Sequence, residues 1–367
     1  MWFAIFIVTI VISIVGAVYL INAVSRFRAF TRFDRKWQQK LNATLVVILC
    51  FAGFAAFMGM VNAITILIYV IFFFLISGLI VRIVDKVHGT KSSSVSTGRS
   101  KVYLQGWLAI AVSIVYLSGA YYMCHNVWRT DYNLKTDKDI QDLHIALIAD
   151  SHLGTTFDGE GFAAWLEEIE QASPDMLLIA GDFVDNDSVR ADMVRACEAL
   201  GTLDLRYGVF FVYGNHDKHT FGGRDFTAQD LEDELIKNNV QILEDEIVTI
   251  DNICIAGRKD YITEPRLDID DLLQDVSDDK YIIVLDHEPT DYENESASAS
   301  DLVVSGHTHG GQLLAIKYVG ELTGVNDRTY GYERISDTDF IVTSGISDWA
   351  LDFKTGTRSE YVMINVN

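Results

Sequence analysis

Three long stretches of this chain carry no charged side chain, and that one property separates the polypeptide into two parts that need different solvents. Trp2–Val24 is rich in Ile, Val and Phe. At about 1.5 Å rise per residue, a run of that length crosses a bilayer core of about 30 Å. Leu41–Val81 is again uncharged and long enough for two crossings, with a turn expected near Gly59–Asn62. Leu104–Cys124 supplies the last run. The expectation is four transmembrane helices, at about 2–24, 41–60, 62–81 and 104–124. A cleaved leader would explain only the first and would need a basic start and a small-residue cleavage site, neither of which is present.

The charge distribution gives these spans an orientation. Before His125 there are eleven Lys and Arg against two acids, a net of +9; the remainder holds 18 basic against 49 acidic residues, a net of −31. The basic residues fall in the connections 25–40 and 82–101. By the positive-inside rule those loops are cytoplasmic, so the chain from Cys124 onward is expected outside the cytoplasm, in a multi-pass protein of the cell membrane. The acidic part repels polyanions at long range, so specific nucleic-acid binding is not expected. The Ser-rich stretch 91–100 reads as a flexible loop, and 125–141, polar and charged, as a linker. Cys197 and Cys254 read as two buried thiols, with a disulfide between them as the alternative.

Residues 142–367 alternate short apolar runs of strand length with charged amphipathic segments, which indicates an α/β domain with buried sheets. Strands are predicted at 144–149, 176–180, 209–213, 281–285, 302–305, 340–343 and 361–364. Helices are predicted at 161–172, 189–200 and 227–237, and a hairpin turning at Asp251-Asn252 over 247–255. Five of the strands end in groups that bind metals. The first delivers Asp150 and His152, the second Asp182, the third Asn215, His216 and Asp217. His287 follows the fourth, and His307 and His309 the fifth. A lone strand-end Asp or His is commonly a cap or a surface group. Ligands of open α/β sheets, however, bind beyond the carboxyl ends of the strands, so five such endings describe one site. Oxygen and imidazole donors without thiolate suit Mn, Fe or Zn. Seven candidate ligands, Asp150, His152, Asp182, Asn215, His287, His307 and His309, exceed what one tetrahedral ion needs and match two ions bridged by a carboxylate.

The pattern Asp150-Ser151-His152, Gly181-Asp182, Gly214-Asn215-His216-Asp217, His287 and Gly306-His307-Thr308-His309 resembles the calcineurin-like metallophosphoesterase superfamily. With Gly310-Gly311-Gln312 and the membrane region, it is similar to that superfamily's bacterial membrane-associated phosphohydrolases. The resemblance implies a four-layer αββα sandwich. It implies one divalent or trivalent ion on Asp150, His152, Asp182 and His309 and a second on Asp182, Asn215, His287 and His307. Two such ions clamp a phosphate ester (phosphodiester, phosphomonoester or pyrophosphate) and generate the attacking hydroxide. His216 is then expected to contact the phosphate or protonate the leaving oxygen, with Asp217 holding its tautomer. Lys218, His219 and Arg224 are further candidates for the pocket, while His88, His125 and His144 read as surface or strand residues. A catalytically silent metal-binding sensor or scaffold is the alternative function, and a transport role finds no charged residue within the spans to support it. Proximity to the bilayer makes a lipid-linked phosphate one possible substrate.

Overall fold

The structure, a computed structural model, describes residues 2–87, 103–218, 223–263 and 265–367. The chain divides into two units, Met1–Ala120 and Tyr121–Asn367. In the first, a helix covers Trp2–Val24 and another Lys36–Val87. The second of these is interrupted at Gly59, whose φ of 82° and ψ of 163° lie outside the helical region and which has no Cβ to oppose them. Two separate spans were expected over 41–60 and 62–81; they are joined in one helix broken at the turn position. Among the described residues, two helices, Lys36–Val87 and Leu104–His125, are long and apolar enough to cross a membrane. Leu20, Ala23, Phe27, Ile71, Phe74 and Ala109 form the unit's buried cluster. His88 and the Ser-rich stretch lie outside the described residues.

The second unit is built on two mixed sheets. Its strands are β1 (Trp128–Leu134), β2 (Leu143–Ile148), β3 (Met176–Ala180), β4 (Gly208–Val212), β5 (Val240–Ile242), β6 (Glu246–Ile250), β7 (Ile253–Gly257), β8 (Tyr281–Leu285), β9 (Leu302–Ser305), β10 (Gly331–Ile335), β11 (Thr338–Val342) and β12 (Glu360–Val366). One sheet has the order β1-β12-β2-β3-β4-β5, the other β10-β11-β9-β8-β7-β6. β2, β3, β4 and β5 run parallel, as do β7, β8, β9 and β11. The expected hairpin at Asp251-Asn252 is the antiparallel pair β6–β7.

Side chains on a strand alternate between faces, and here both faces are buried. Ile145 and Leu147 of β2 join Leu178, Phe210, Ile283 and Val304 between the sheets. Ala146 and Ile148 join Leu177 and Ile179 on the opposite face. Burial on both faces is why these strands read as unbroken apolar runs rather than alternating ones. Three helices cover the first sheet's outer face with Phe162, Leu166 and Ile169, with Met193 and Ala196, and with Leu231 and Leu235. Asp158 caps the first of these helices by accepting from Gly161 N, and Thr227 caps the third in a reciprocal box with Asp230. Short helices at Ile269–Leu273 and Tyr292–Ala297 cover the second sheet. The layers are therefore helix, sheet, sheet, helix. Cys197 belongs to one outer layer and Cys254 to the other, and both are free thiols.

The linker expected over 125–141 is in part a strand. β1 pairs in parallel with β12 from Trp128↔Glu360 to Leu134↔Val366. Trp128, Thr130, Tyr132 and Leu134 face inward while Arg129, Asp131 and Asn133 are exposed. Charge on the solvent face of an edge strand guards it against pairing with another chain, and that charge disguised the strand as a linker.

Phe210 is fully buried between the sheets. Phe210→Ala is expected to cost about 3–5 kcal/mol, read as a lower thermal midpoint for unfolding of this unit in the full-length protein.

Candidate metal centre

Both sheets present the carboxyl ends of their parallel strands to one edge. β2 leads to Asp150 and His152, β3 to Asp182 and β4 to Asn215; β8 leads to His287 and β9 to His307 and His309. The turns that aim these side chains are strained. Asp150, His152, Asp182, His307 and His309 all have positive φ, from 35° to 67°, a region costly for residues with a Cβ. Gly181 (φ 79°) shares the strain, and a Cβ there would come within 2.6 Å of Gly214 N. Five of the seven candidate ligands thus sit on backbone that would relax elsewhere in the Ramachandran map if their positions did not matter.

The side chains form two groups that meet at one atom. Asp150, His152 and His309 offer donor atoms within 4.8 Å of one another, as do Asp182, His287 and His307. Asp182 Oδ2 lies 3.6 Å from His152 Nε2 and 3.3 Å from His287 Nε2, so a single carboxylate oxygen borders both groups. Asn215 Oδ1 is 3.3 Å from His287 Nε2. All seven residues expected as ligands therefore lie at this one edge.

The chemistry of the second group asks for a cation. His287 Nδ1 donates to Ala180 O at 2.7 Å, which leaves Nε2 as the atom free to ligate. That nitrogen faces Asp182 Oδ2, Asn215 Oδ1 and, at 3.2 Å, His307 Nδ1. Neither the carboxylate nor the carboxamide oxygen has a proton to share. In the first group both ring nitrogens of His152 and Asp150 Oδ2 are buried without a hydrogen-bond partner, a costly arrangement unless an ion satisfies them. Burial pushes His152 and His307 down to about 3, so both present neutral imidazole, the ligating form. Burial alone would raise Asp182, but neighbouring His287 outweighs it and keeps this carboxyl well below its usual range. His287 behaves oppositely: against burial, the Asp182 carboxylate raises it well above the ordinary imidazole value. A carboxylate that draws positive charge this strongly, set among nitrogen donors, fits a pair of divalent or trivalent ions.

His216 stands beside this cluster, half-buried, with its ring 5.0 Å from that of His152. Its expected partner was Asp217. Instead, His216 Nδ1 is 2.9 Å from Asp185 Oδ1, and Asp185 Oδ2 is 3.6 Å from His152 Nδ1. Burial alone would lower His216, but the Asp185 hydrogen bond and the charges of Asp182, Asp185 and Asp217 together raise it above the ordinary imidazole value. Asp217 faces the other way. Its carboxylate accepts from the backbone N–H groups of Asp182, Phe183, Val184 and Gly214 at 2.8–3.1 Å, clasping the turns after β3 and β4 together. The neighbour in sequence points into the backbone because the short helix Asn215–Lys218 turns successive side chains apart.

Other expectations are revised as well. Lys218 pairs with Glu244. Arg224 donates to Asp217 O at 2.8 Å and to His216 O at 3.4 Å, bracing the loop from behind. His144 bonds Asn365 on the strand surface, and His219 lies outside the described residues. Two residues of the site had no expectation attached. Asp185, in the same strand-end loop as Asp182, could have been found by counting carboxylates after the glycine. Asp348, far along the chain, lies 3.2 Å from His309 Nδ1 and accepts from Gln312 Nε2 at 2.6 Å. The loop that carries it is secured by buried Lys354, which donates to Ser344 O and Ser347 O.

Asp217→Ala strands four buried N–H groups at about 1–3 kcal/mol each. It is expected to lower the thermal midpoint more than Phe210→Ala does, whereas His216→Ala should shift it by no more than about 2 °C, a typical result for a group with few packing partners.

Residues 143–311 match the family model of the calcineurin-like phosphoesterases. A transmembrane protein with metallophosphoesterase domain from Bos taurus is 29% identical over 245 residues, 61% of this chain and 53% of its own length. An uncharacterized metallophosphoesterase of Campylobacter jejuni is 25% identical, over 81% of this chain and 78% of its own. One from Helicobacter pylori is 30% identical, over 63% and 61%. The chain thus spans about half the length of the bovine relative. The matched segment takes in the strand-end candidate ligands from Asp150 to His309.

Proposed function

We propose that the chain is a membrane-anchored, metal-dependent phosphoric ester hydrolase with a dinuclear centre. The observation that carries this reading is the meeting of two donor groups at Asp182 Oδ2, beside an imidazole held by its own carboxylate. Asp150, His152, Asp182 and His309 would hold one ion and Asp182, Asn215, His287 and His307 the other, of Mn, Fe or Zn. When bound, such ions neutralise phosphate oxygens and acidify a water for in-line attack.

The remaining work belongs to the chain. Asp185 holds His216 by Nδ1, which leaves Nε2 to contact the phosphate or to give its proton to the leaving oxygen. Asp217 fixes the two turns so that Asp182 and Asn215 keep their separation. Asp348 orients His309 through the ring nitrogen not needed for ligation, as carboxylates do for ligating imidazoles. A silent sensor would have no use for the His216–Asp185 pair.

Anchoring rests on the uncharged runs, the break at Gly59 and the printed name of the bovine relative. Four crossings with both basic loops cytoplasmic put the phosphoesterase domain outside the cytoplasm.

The test uses the full-length protein, because a cut after residue 130 would sever β1. Stripped protein reloaded with Mn, Zn or Fe is expected to hydrolyse bis(p-nitrophenyl) phosphate or p-nitrophenyl phosphate. His216→Ala should lower kcat by about 10²–10⁴-fold with ion content unchanged by elemental analysis. Asp182→Ala should lose both ions. Tightly bound ions with no turnover of either ester under any metal would refute the reading.

A further inference from the structure

The last turn of the helix Leu104–His125 is built into the phosphoesterase unit. Ser359 N donates to Met123 O at 2.9 Å and Ser359 Oγ to Cys124 O at 2.7 Å. Cys124 Sγ is 3.7 Å from Leu351 O and 3.9 Å from Asp348 Oδ2, and the ring of Tyr121 is 6.3 Å from that of Phe353. The same Asp348 lies against His309. Cys124 ends the last uncharged run, so two side-chain contacts link the end of an apolar helix to a candidate ligand. No stalk lies between Cys124 and the candidate site, both of which belong to the same unit.

A second observation comes from the excursion between Gln312 and Thr329. It starts just after His309, tied by Gln312 Nε2 to Asp348 Oδ1 and Trp349 O. It returns where Thr308 Oγ1 donates to Thr329 O at 2.6 Å. Within it Leu314, Ile316, Tyr318, Leu322 and Val325 are exposed, Leu322 to 84%. Trp349, also exposed, has its ring 5.4 Å from that of His216. Elsewhere in this unit, among the described residues, large exposed apolar side chains include Tyr121, Tyr122 and Met123 at the helix end and Tyr261, Ile262 and Leu267. An exposed apolar patch of this kind marks an interaction surface. Aliphatic side chains with Trp and Tyr suit the boundary between headgroups and acyl chains.

We infer that the substrate is a lipid-borne phosphate ester, taken at the bilayer surface with its apolar chains against the 313–328 excursion. The inference rests on the phosphoesterase reading and adds the class of substrate. The phosphate group meets the strand-end ligands and His216. Leu314, Tyr318 and Leu322 dip into the interface, so the ester is cleaved without the lipid leaving the membrane entirely.

Two measurements on the full-length protein in phosphatidylcholine nanodiscs test it. The first compares pairs that share a phosphate and differ in the tail: phosphatidic acid with glycerol 3-phosphate, and phosphatidylglycerol with glycerophosphoglycerol. The tailed member of at least one pair should be hydrolysed with kcat/KM at least about tenfold higher, and Leu314→Asp with Leu322→Asp should cut that ratio by about tenfold, the scale of lost interfacial burial. A ratio near one in both pairs, or one the double variant leaves unchanged, overturns the inference while bis(p-nitrophenyl) phosphate is still cleaved. If that soluble ester is not cleaved either, the phosphoesterase reading itself has failed and the inference falls with it. The second measurement needs neither ions nor turnover. A nitroxide on Leu322→Cys, in a Cys50→Ser background because the other cysteines are buried, should be relaxed more by oxygen than by a water-soluble nickel chelate. Relaxation dominated by the chelate overturns the inference.

Discussion

Buried lone pairs that have nothing to share dominate this molecule. Asp150, Asp182, His152, His287 and His307 converge where water is scarce, and the groups facing one another are mostly acceptors. Asp182 and Asp150 each accept one backbone N–H, from His216 and His307, but Asp150 Oδ2 and both ring nitrogens of His152 lose hydration and gain no partner in return. What holds them is the pair of sheets beneath, whose inter-sheet layer of Leu147, Leu178, Phe210, Ile283 and Val304 fixes the strand ends more firmly than the local repulsion can move them. Positive φ at five of the candidate ligands is the local form of the same contest.

Carboxylates around the centre divide the labour. Asp182 sits between the two donor groups, Asp185 orients His216, Asp348 orients His309, and Asp217 binds only backbone. The buried cluster of Arg258 and Arg266 with Asp286, Asp291 and Glu295 anchors the turn before His287 in a comparable way. Their fixed geometry keeps each imidazole presenting one particular nitrogen.

Much of this was legible in the residues alone. Strands buried on both faces announce themselves as apolar runs, and the candidate ligands follow those runs directly, so β2, β3, β4, β8 and β9 and the edge that all seven candidates share could be placed. The misreadings share a cause: they concern which way a side chain points, or contacts made far along the chain. Asp217 follows His216, and adjacency suggested a pairing that the turn of the backbone forbids. Asp348 meets His309 only after β10 and β11 have intervened, and no local spacing records that. β1 was hidden because an edge strand needs only one apolar face, and its polar face dominates the composition.

The parallel pairing of β1 with β12 has a mechanical side. The strand joins its sheet only a few residues past the apolar helix, through seven register pairs. Tension along the strand would load those bonds in shear, all together, whereas an antiparallel hairpin in the same place would open like a zipper, one bond at a time.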